Sequence, residues 1–170
     1  AGMPSPRIIG IDEISIRKGH DYRIIVSDIE GGRPIWVGGQ GRKEQDMDLF
    51  FDELGASKAA CIKLAVMDMW RPFYSSVKKN IPQAQIIYDK FHIMRHLNDA
   101  LDQVRRHEYH RLALEDRAFI KGQRYTLLSH RENLTLEGRR ALRKLLSANK
   151  RLNVAYLLKE SFGQLWDYRS

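Results

Sequence analysis

Three short apolar runs in this chain each stop on a carboxylate: RIIGID on Asp12, CIKLAVMD on Asp68 and AQIIYD on Asp89. Strand-like segments that end on acids would carry negative charge to one edge of a sheet. Two carboxylates held close together repel strongly and are tolerated mainly when a divalent cation lies between them. The chain has 29 Lys and Arg against 21 Asp and Glu, a net charge of +8. In so basic a protein, that arrangement suggests metal-assisted chemistry on nucleic acid. Each acid also has a plainer reading. Asp12 lies in an Ile-rich run, where a charge is costly unless paired or metal-bound, but a strand-end Asp can simply face solvent. Asp68 has the same alternative, or could cap the helix after it. Asp89 is better read as the cap of a helix starting near Lys90 than as a ligand. Glu13 follows Asp12, and strand alternation turns it to the opposite face. His92 and His96 stand at i and i+4, a spacing that can bind zinc, yet no third ligand is evident, so DNA or core contacts are preferred.

Positioning these acids requires a sheet. Residues 7–16, 22–29 and 33–38 read as strands with short links, the Glu30-Gly31-Gly32 link marking a hairpin turn. Gly38, Gly39 and Gly41 break the chain before a helix near 43–54, where Met47, Phe50, Phe51 and Leu54 follow helical spacing. A strand at 61–67 leads to Asp68, a helix at 71–80 follows with Pro72 in its first turn, and a strand at 84–88 leads to Asp89. The order βββαβαβ implies a mixed sheet with its first, fourth and fifth strands parallel. Ligand sites in parallel sheets form at the carboxyl ends of strands, where all three aspartates fall. From Phe91 onward the pattern is helical. One helix spans 135–147 with Thr135 as its N-cap, and another spans 151–168 with Leu152, Ala155, Tyr156, Phe162 and Trp166 on one face. Glu160 borders that face, and Lys159 lies on it, where it could snorkel or reach a phosphate.

The composition fits one domain with a real core: 170 residues, 43% hydrophobic. No apolar stretch approaches the ~20 residues that span a bilayer, and no signal peptide is visible. Cys61 is the one cysteine, so no internal disulfide forms, and it reads as a small core residue in its strand. Residues 1–6 read as an expression remnant, Ala1-Gly2-Met3, and a leader, and the chain looks like a piece of a longer protein. Charge is unevenly placed. Residues 1–89 hold 12 basic and 12 acidic side chains, residues 90–151 hold 15 and 7, and residues 152–170 hold two of each. A positive field so concentrated favours a polyanion through counterion release, although a solvated helical surface is the bland alternative.

Five segments, in this order, carry a resemblance to a known family: GIDEISIRKGHDY, VMDMWRPFY, YDKFHIMRHLNDALDQVRR, RYTLLSHRENLT and LNVAYLLKESFGQLW. Together they resemble the DDE transposases of bacterial insertion sequences, specifically the ISL-three type. The resemblance implies an α/β, ribonuclease H-like catalytic domain over residues 7–170: a mixed five-stranded sheet, flanking helices, and an α-helical insertion at about 105–150 before the last catalytic helix. It maps the catalytic acids to Asp12 in GIDE, Asp68 in VMDMW and Glu160 in LLKESF, separated by 56 and 92 residues.

By the same resemblance, Asp12, Asp68 and Glu160 bind two Mg²⁺ ions, with Mn²⁺ as a substitute, Asp12 bridging both. The implied reaction is hydrolysis at a transposon end, then transfer of the freed 3′-hydroxyl into target DNA. Implied partners are double-stranded transposon-end DNA, target DNA and a second copy, as a homodimer on DNA, in the bacterial cytoplasm and on the nucleoid, with no membrane. The family's N-terminal zinc-binding and helix-turn-helix part is missing, so the fragment need not work alone. Arg71, Arg105, Arg106, Arg139, Arg140, Arg143, Lys144 and Lys159 are the expected DNA contacts, with Trp70 and Tyr74 also near the scissile bond. Two rival classes stay open: a nuclease on the same fold without strand transfer, and an inert DNA-binding domain whose acids are structural.

Overall fold

The computed structural model describes residues 2–17, 21–112, 117 and 120–167. Ala1, the first hairpin's tip at 18–20, residues 113–116 and 118–119 of the expected insertion, and position 168 of the last expected helix lie outside the described residues. Two compact units divide the chain, Ala1–Ile93 and Met94–Ser170.

The first unit is built on strands β1 (Ile8–Arg17), β2 (Asp21–Asp28), β3 (Arg33–Gly38), β4 (Leu64–Met67) and β5 (Gln85–Tyr88). They lie in the order β3-β2-β1-β4-β5. The β1–β2 and β2–β3 pairs are antiparallel, while β1–β4 and β4–β5 are parallel. This is the mixed sheet expected of a ribonuclease H-like fold. Helices α1 (Glu44–Leu54), α2 (Ala56–Ala59) and α3 (Arg71–Asn80) complete the unit. Alternation sends Ile9 and Ile11 of β1, Ile24 and Val26 of β2, and Ala65 and Met67 of β4 into one core. Met47, Phe50, Phe51 and Leu54 of α1 and Phe73 and Val77 of α3 fill the same core. Each large side chain buried there contributes ~1.5–3 kcal/mol of transfer free energy. Helix α1 is tied to α3 by Asp48, whose carboxylate accepts from buried Ser76 at 2.5 Å, Lys79 at 2.8 Å and Asn80 at 2.8 Å.

Helix α4 (Lys90–Arg111) opens where Asp89 Oδ1 accepts from Phe91 N at 2.8 Å. Asp89 is therefore a helix cap, the role preferred for it. The second unit holds most of α4 with α5 (Arg124–Leu128), α6 (Leu136–Ala148) and α7 (Lys150–Gly163). Its core joins Leu101, Ile120, Leu127, Leu142, Leu145, Leu152 and Tyr156. Thr135 caps α6 as expected, its hydroxyl accepting from Gly138 N at 3.1 Å. Asn149 caps α7 by accepting from Leu152 N, while its amide donates to buried Glu108 of α4 at 2.9 Å. Residues Arg111 and Arg151 flank the same carboxylate.

Two expectations fail. Cys61 is exposed and precedes β4, because Gly55 at φ 84° and the short helix α2 delay strand pairing until Lys63 N reaches Arg7 O. The last helix ends at Gly163 and tightens into a 3₁₀ turn at Gln164–Trp166, so Phe162 meets Trp166 in a tilted ring contact outside the core. Lys159 takes the buried position on that face instead.

Candidate active site

Asp12 and Asp68 come together by sheet register. The parallel β1–β4 ladder ends at Ile11 opposite Met67, so the next rung sets Asp12 beside Asp68. Since Ile11 and Met67 point into the core, both acids point to the other face. Each carboxylate accepts from its own following amide, Asp12 from Glu13 N at 2.7 Å and Asp68 from Met69 N at 2.6 Å. Their side chains remain 68% and 30% exposed. Between them sits the His92 imidazole, with Nδ1 3.4 Å from Asp68 and Nε2 4.0 Å from Asp12. Within this unit, no three such side chains among the described residues close into a metal cage. What the edge offers is a pair of accessible, like-charged oxygen donors.

His92 is the neighbour that sequence reasoning undervalued. Its spacing with His96 points to DNA or core contacts rather than zinc, whereas its position in the first turn of a helix capped by Asp89 directs it at the strand ends. A signal was present: a helix that starts directly after a sheet-edge acid presents its first turn to that edge.

A second cluster fixes the turn after Asp68. The Arg42 guanidinium lies 4.5 Å from the Tyr22 ring centre and 5.0 Å from that of Trp70. It also pairs with Glu13 at 2.6 Å, and the Trp70 indole donates to Arg42 O at 2.8 Å. Glu13 thus faces away from Asp12, as alternation demanded, and serves as an anchor. Nothing in the glycine-rich loop 38–43 announced Arg42. Gly39 holds φ 72°, and a Cβ there would stand 3.0 Å from Asp46 Cβ. That tight turn allows Asp46 to accept from Gln40 N and Lys43 N, both at 3.0 Å.

Glu160 lies on α7 in the helical unit. Lys159 Nζ stands 2.8 Å from Glu160 Oε1 and 5.1 Å from the centre of the Tyr156 ring. The contact is an ion pair without hydrogen-bond geometry, because Glu160 Oε1 is buried and accepts no hydrogen bond among the described residues. The Tyr156 hydroxyl is likewise buried with no hydrogen-bond partner among the described residues. Burial pushes the Tyr156 phenol up, the Glu160 charge adds to this, and Arg131 opposes it. The carboxylates of Asp12 and Asp68 are oxygen donors, the kind that suits Mg²⁺ or Mn²⁺.

The expected DNA contacts divide. Arg71, Arg139, Arg140, Arg143 and Lys144 are exposed, the last four on the outer face of α6 opposite buried Leu142 and Leu145. Arg105 is corrected: it is only 15% exposed and bonds Asp102 at 2.8 Å. Arg106 bonds the same carboxylate at 2.9 Å but stays exposed. Lys159 is also corrected, being 2% exposed and turned to Glu160 rather than solvent. Arg105 is drawn in by a buried acid, whereas Lys159 is itself the buried member of its pair. Asp102 falls between arginines on a helix that looked uniformly basic.

The family model of the ISL-three type DDE enzymes, described as transposase, matches residues 9–170. The transposase for insertion sequence element IS1001 of Bordetella parapertussis is 32% identical over 164 residues, covering 95% of this chain and 40% of that protein. The transposase for insertion sequence element IS1557 of Mycobacterium tuberculosis (strain CDC 1551 / Oshkosh) is 31% identical over 186 residues, covering 96% and 42%. The chain thus spans about two fifths of the length of these curated relatives. A five-stranded mixed sheet, paired acids at its edge and a match over nearly every residue lead to one conclusion: this chain belongs to the ISL-three type transposase family.

Proposed function

We propose that residues 7–170 are the catalytic domain of a DNA transposase, with a helical insertion at about 105–150, cutting transposon-end phosphodiesters and joining the freed 3′-hydroxyl to target DNA. The observation that carries this reading is the placement of Asp12 and Asp68 on adjacent parallel strands, one rung beyond Ile11 and Met67, on the same face. Asp12, Asp68 and Glu160 would hold the divalent ions. When bound, paired Mg²⁺ ions lower the pKa of the attacking water or hydroxyl and stabilise the leaving oxygen. The protein's own part is to keep these carboxylates accessible and oriented. The Glu13 and Met69 amides each fix one carboxylate oxygen, and the His92 imidazole lies beside both acids. Exposed cations of α6 would hold the phosphate backbone, their charge acting on any sequence alike. Recognition of the transposon end would fall to segments beyond this chain, and assembly as a homodimer on DNA in the bacterial cytoplasm would follow the family pattern.

Calorimetric titration with Mn²⁺ tests the site. Binding should be lost in Asp12→Ala and in Asp68→Ala, and equal heats in both variants and the parent would overturn the assignment. Supplying a pre-cleaved transposon end separates transposase from nuclease: joined product supports strand transfer, and cleavage without joining favours the nuclease.

A further inference from the structure

We propose that a depression beside Asp68 receives one unstacked nucleobase together with its phosphate. This deepens the proposed function and rests on it. The depression, of about 310 Å³, is lined by Met69, Arg71, Tyr74, Ser75 and Tyr88. It forms where α3 leaves the turn after Asp68 and where β5 ends. Parity along β5 explains its position, since Tyr88 shares the strand face of Ile86, which packs on the core beneath α1 and α3.

Its chemistry is unusual for plain surface. Tyr74 and Tyr88 leave large aromatic areas exposed to solvent. Neither hydroxyl, nor the Ser75 hydroxyl, nor the Arg71 guanidinium makes a side-chain hydrogen bond or ion pair among the described residues. The contrast with neighbouring Trp70 is instructive, because that ring is engaged by Arg42 on one side and bonded through its indole N–H. Two free aromatic faces, an unpaired planar cation and a hydroxyl within one hollow match a nucleotide: rings stack on the base, and Arg71 meets the phosphate. A base inside intact duplex cannot enter such a hollow. The occupant must be unpaired, as arises at a nicked or frayed strand next to a cutting site.

The test uses the whole chain without divalent metal, so that it reads binding and not cleavage. Fluorescence anisotropy would compare a fully paired DNA duplex with the same duplex carrying one extrahelical 2-aminopurine. The parent should prefer the bulged duplex by about tenfold, the scale of one base–aromatic stack. Tyr74→Ala with Tyr88→Ala should abolish that preference and keep affinity for paired DNA, and Tyr74→Phe with Tyr88→Phe should restore it. Arg71→Gln should reduce the salt slope on the bulged duplex by about one phosphate contact. No preference in the parent, or a preference untouched by the alanine pair, overturns the proposal. Because Mn²⁺ binding and strand joining are read separately, a site that binds metal without showing base preference would sink this inference alone. Preference in a chain that binds no Mn²⁺ would sink the catalytic reading instead.

Discussion

Replacing Glu160 by Gln should destabilise the protein, although the substitution removes a charge and keeps the shape. The reason is Lys159. Its ammonium is 2% exposed and has Glu160 Oε1 at 2.8 Å as its counter-charge, with only the Tyr156 ring as a further partner among the described residues. Removing one member of a fully enclosed pair costs ~3–5 kcal/mol, because the other charge stays buried alone. Glu160 is 29% exposed, so part of its field already runs through water. Retained contact with the Tyr156 face softens the loss further, and about 2 kcal/mol is expected. For a chain of this size that is about 4–8 °C in Tm. Urea and thermal denaturation without divalent metal would measure it in the parent, Glu160→Gln, Lys159→Met and the double variant. Lys159→Met should be neutral or stabilising, since the carboxylate left behind can hydrate. The double variant should recover most of the loss, giving a clear coupling in the cycle. If Glu160→Gln is as stable as the parent, or if the two changes simply add, the ion pair does not hold this helix together.

Acid should weaken the helical unit in a defined window. Burial raises the Asp102 carboxyl, but hydrogen bonds from Arg105 and Arg106 outweigh it and hold the group below its ordinary 3.8. Chiefly its hydrogen bond from Asn149 holds Glu108 below 4.5. A depressed folded pKa contributes stability that is complete above the unfolded value and disappears as pH falls through the folded one. Stability followed by circular dichroism should therefore drop as pH falls below about 4, and less steeply in Asp102→Asn; an identical slope in that variant would contradict the pairing. Neutralising Arg139, Arg140, Arg143 and Lys144 together should flatten the slope of log K against log salt by about 3–4, and an unchanged slope would remove α6 from the DNA interface.

Much of this architecture was legible before any coordinates. Local patterning sufficed for the strands: alternation around Ile9 and Ile11, glycine at the hairpin, and a Thr135 cap are short-range signals, and the fold obeys them. The pairing of Asp12 with Asp68 was also readable, because both acids end runs that must lie parallel. Other features depended on contacts distant in the chain. Arg42 meets Tyr22, Trp70 and Glu13 across three separate segments, and no periodicity records that. Cys61 looked like core because its neighbours are apolar, yet Gly55 redirects the backbone before the strand begins. Arg105 illustrates another error, reading a cation as a surface group when a nearby acid has drawn it inward.

The hydrogen bond from the Trp70 indole to Arg42 O joins the loop before α1 to the residue two places beyond Asp68. Shortening that loop by one residue would drag the tryptophan and tilt the acid's turn. Insertions there should thus be tolerated far less than surface position suggests. Natural or engineered variation in this family member ought to enter at the Glu30-Gly31-Gly32 hairpin instead, where a Cβ on Gly32 would meet open space.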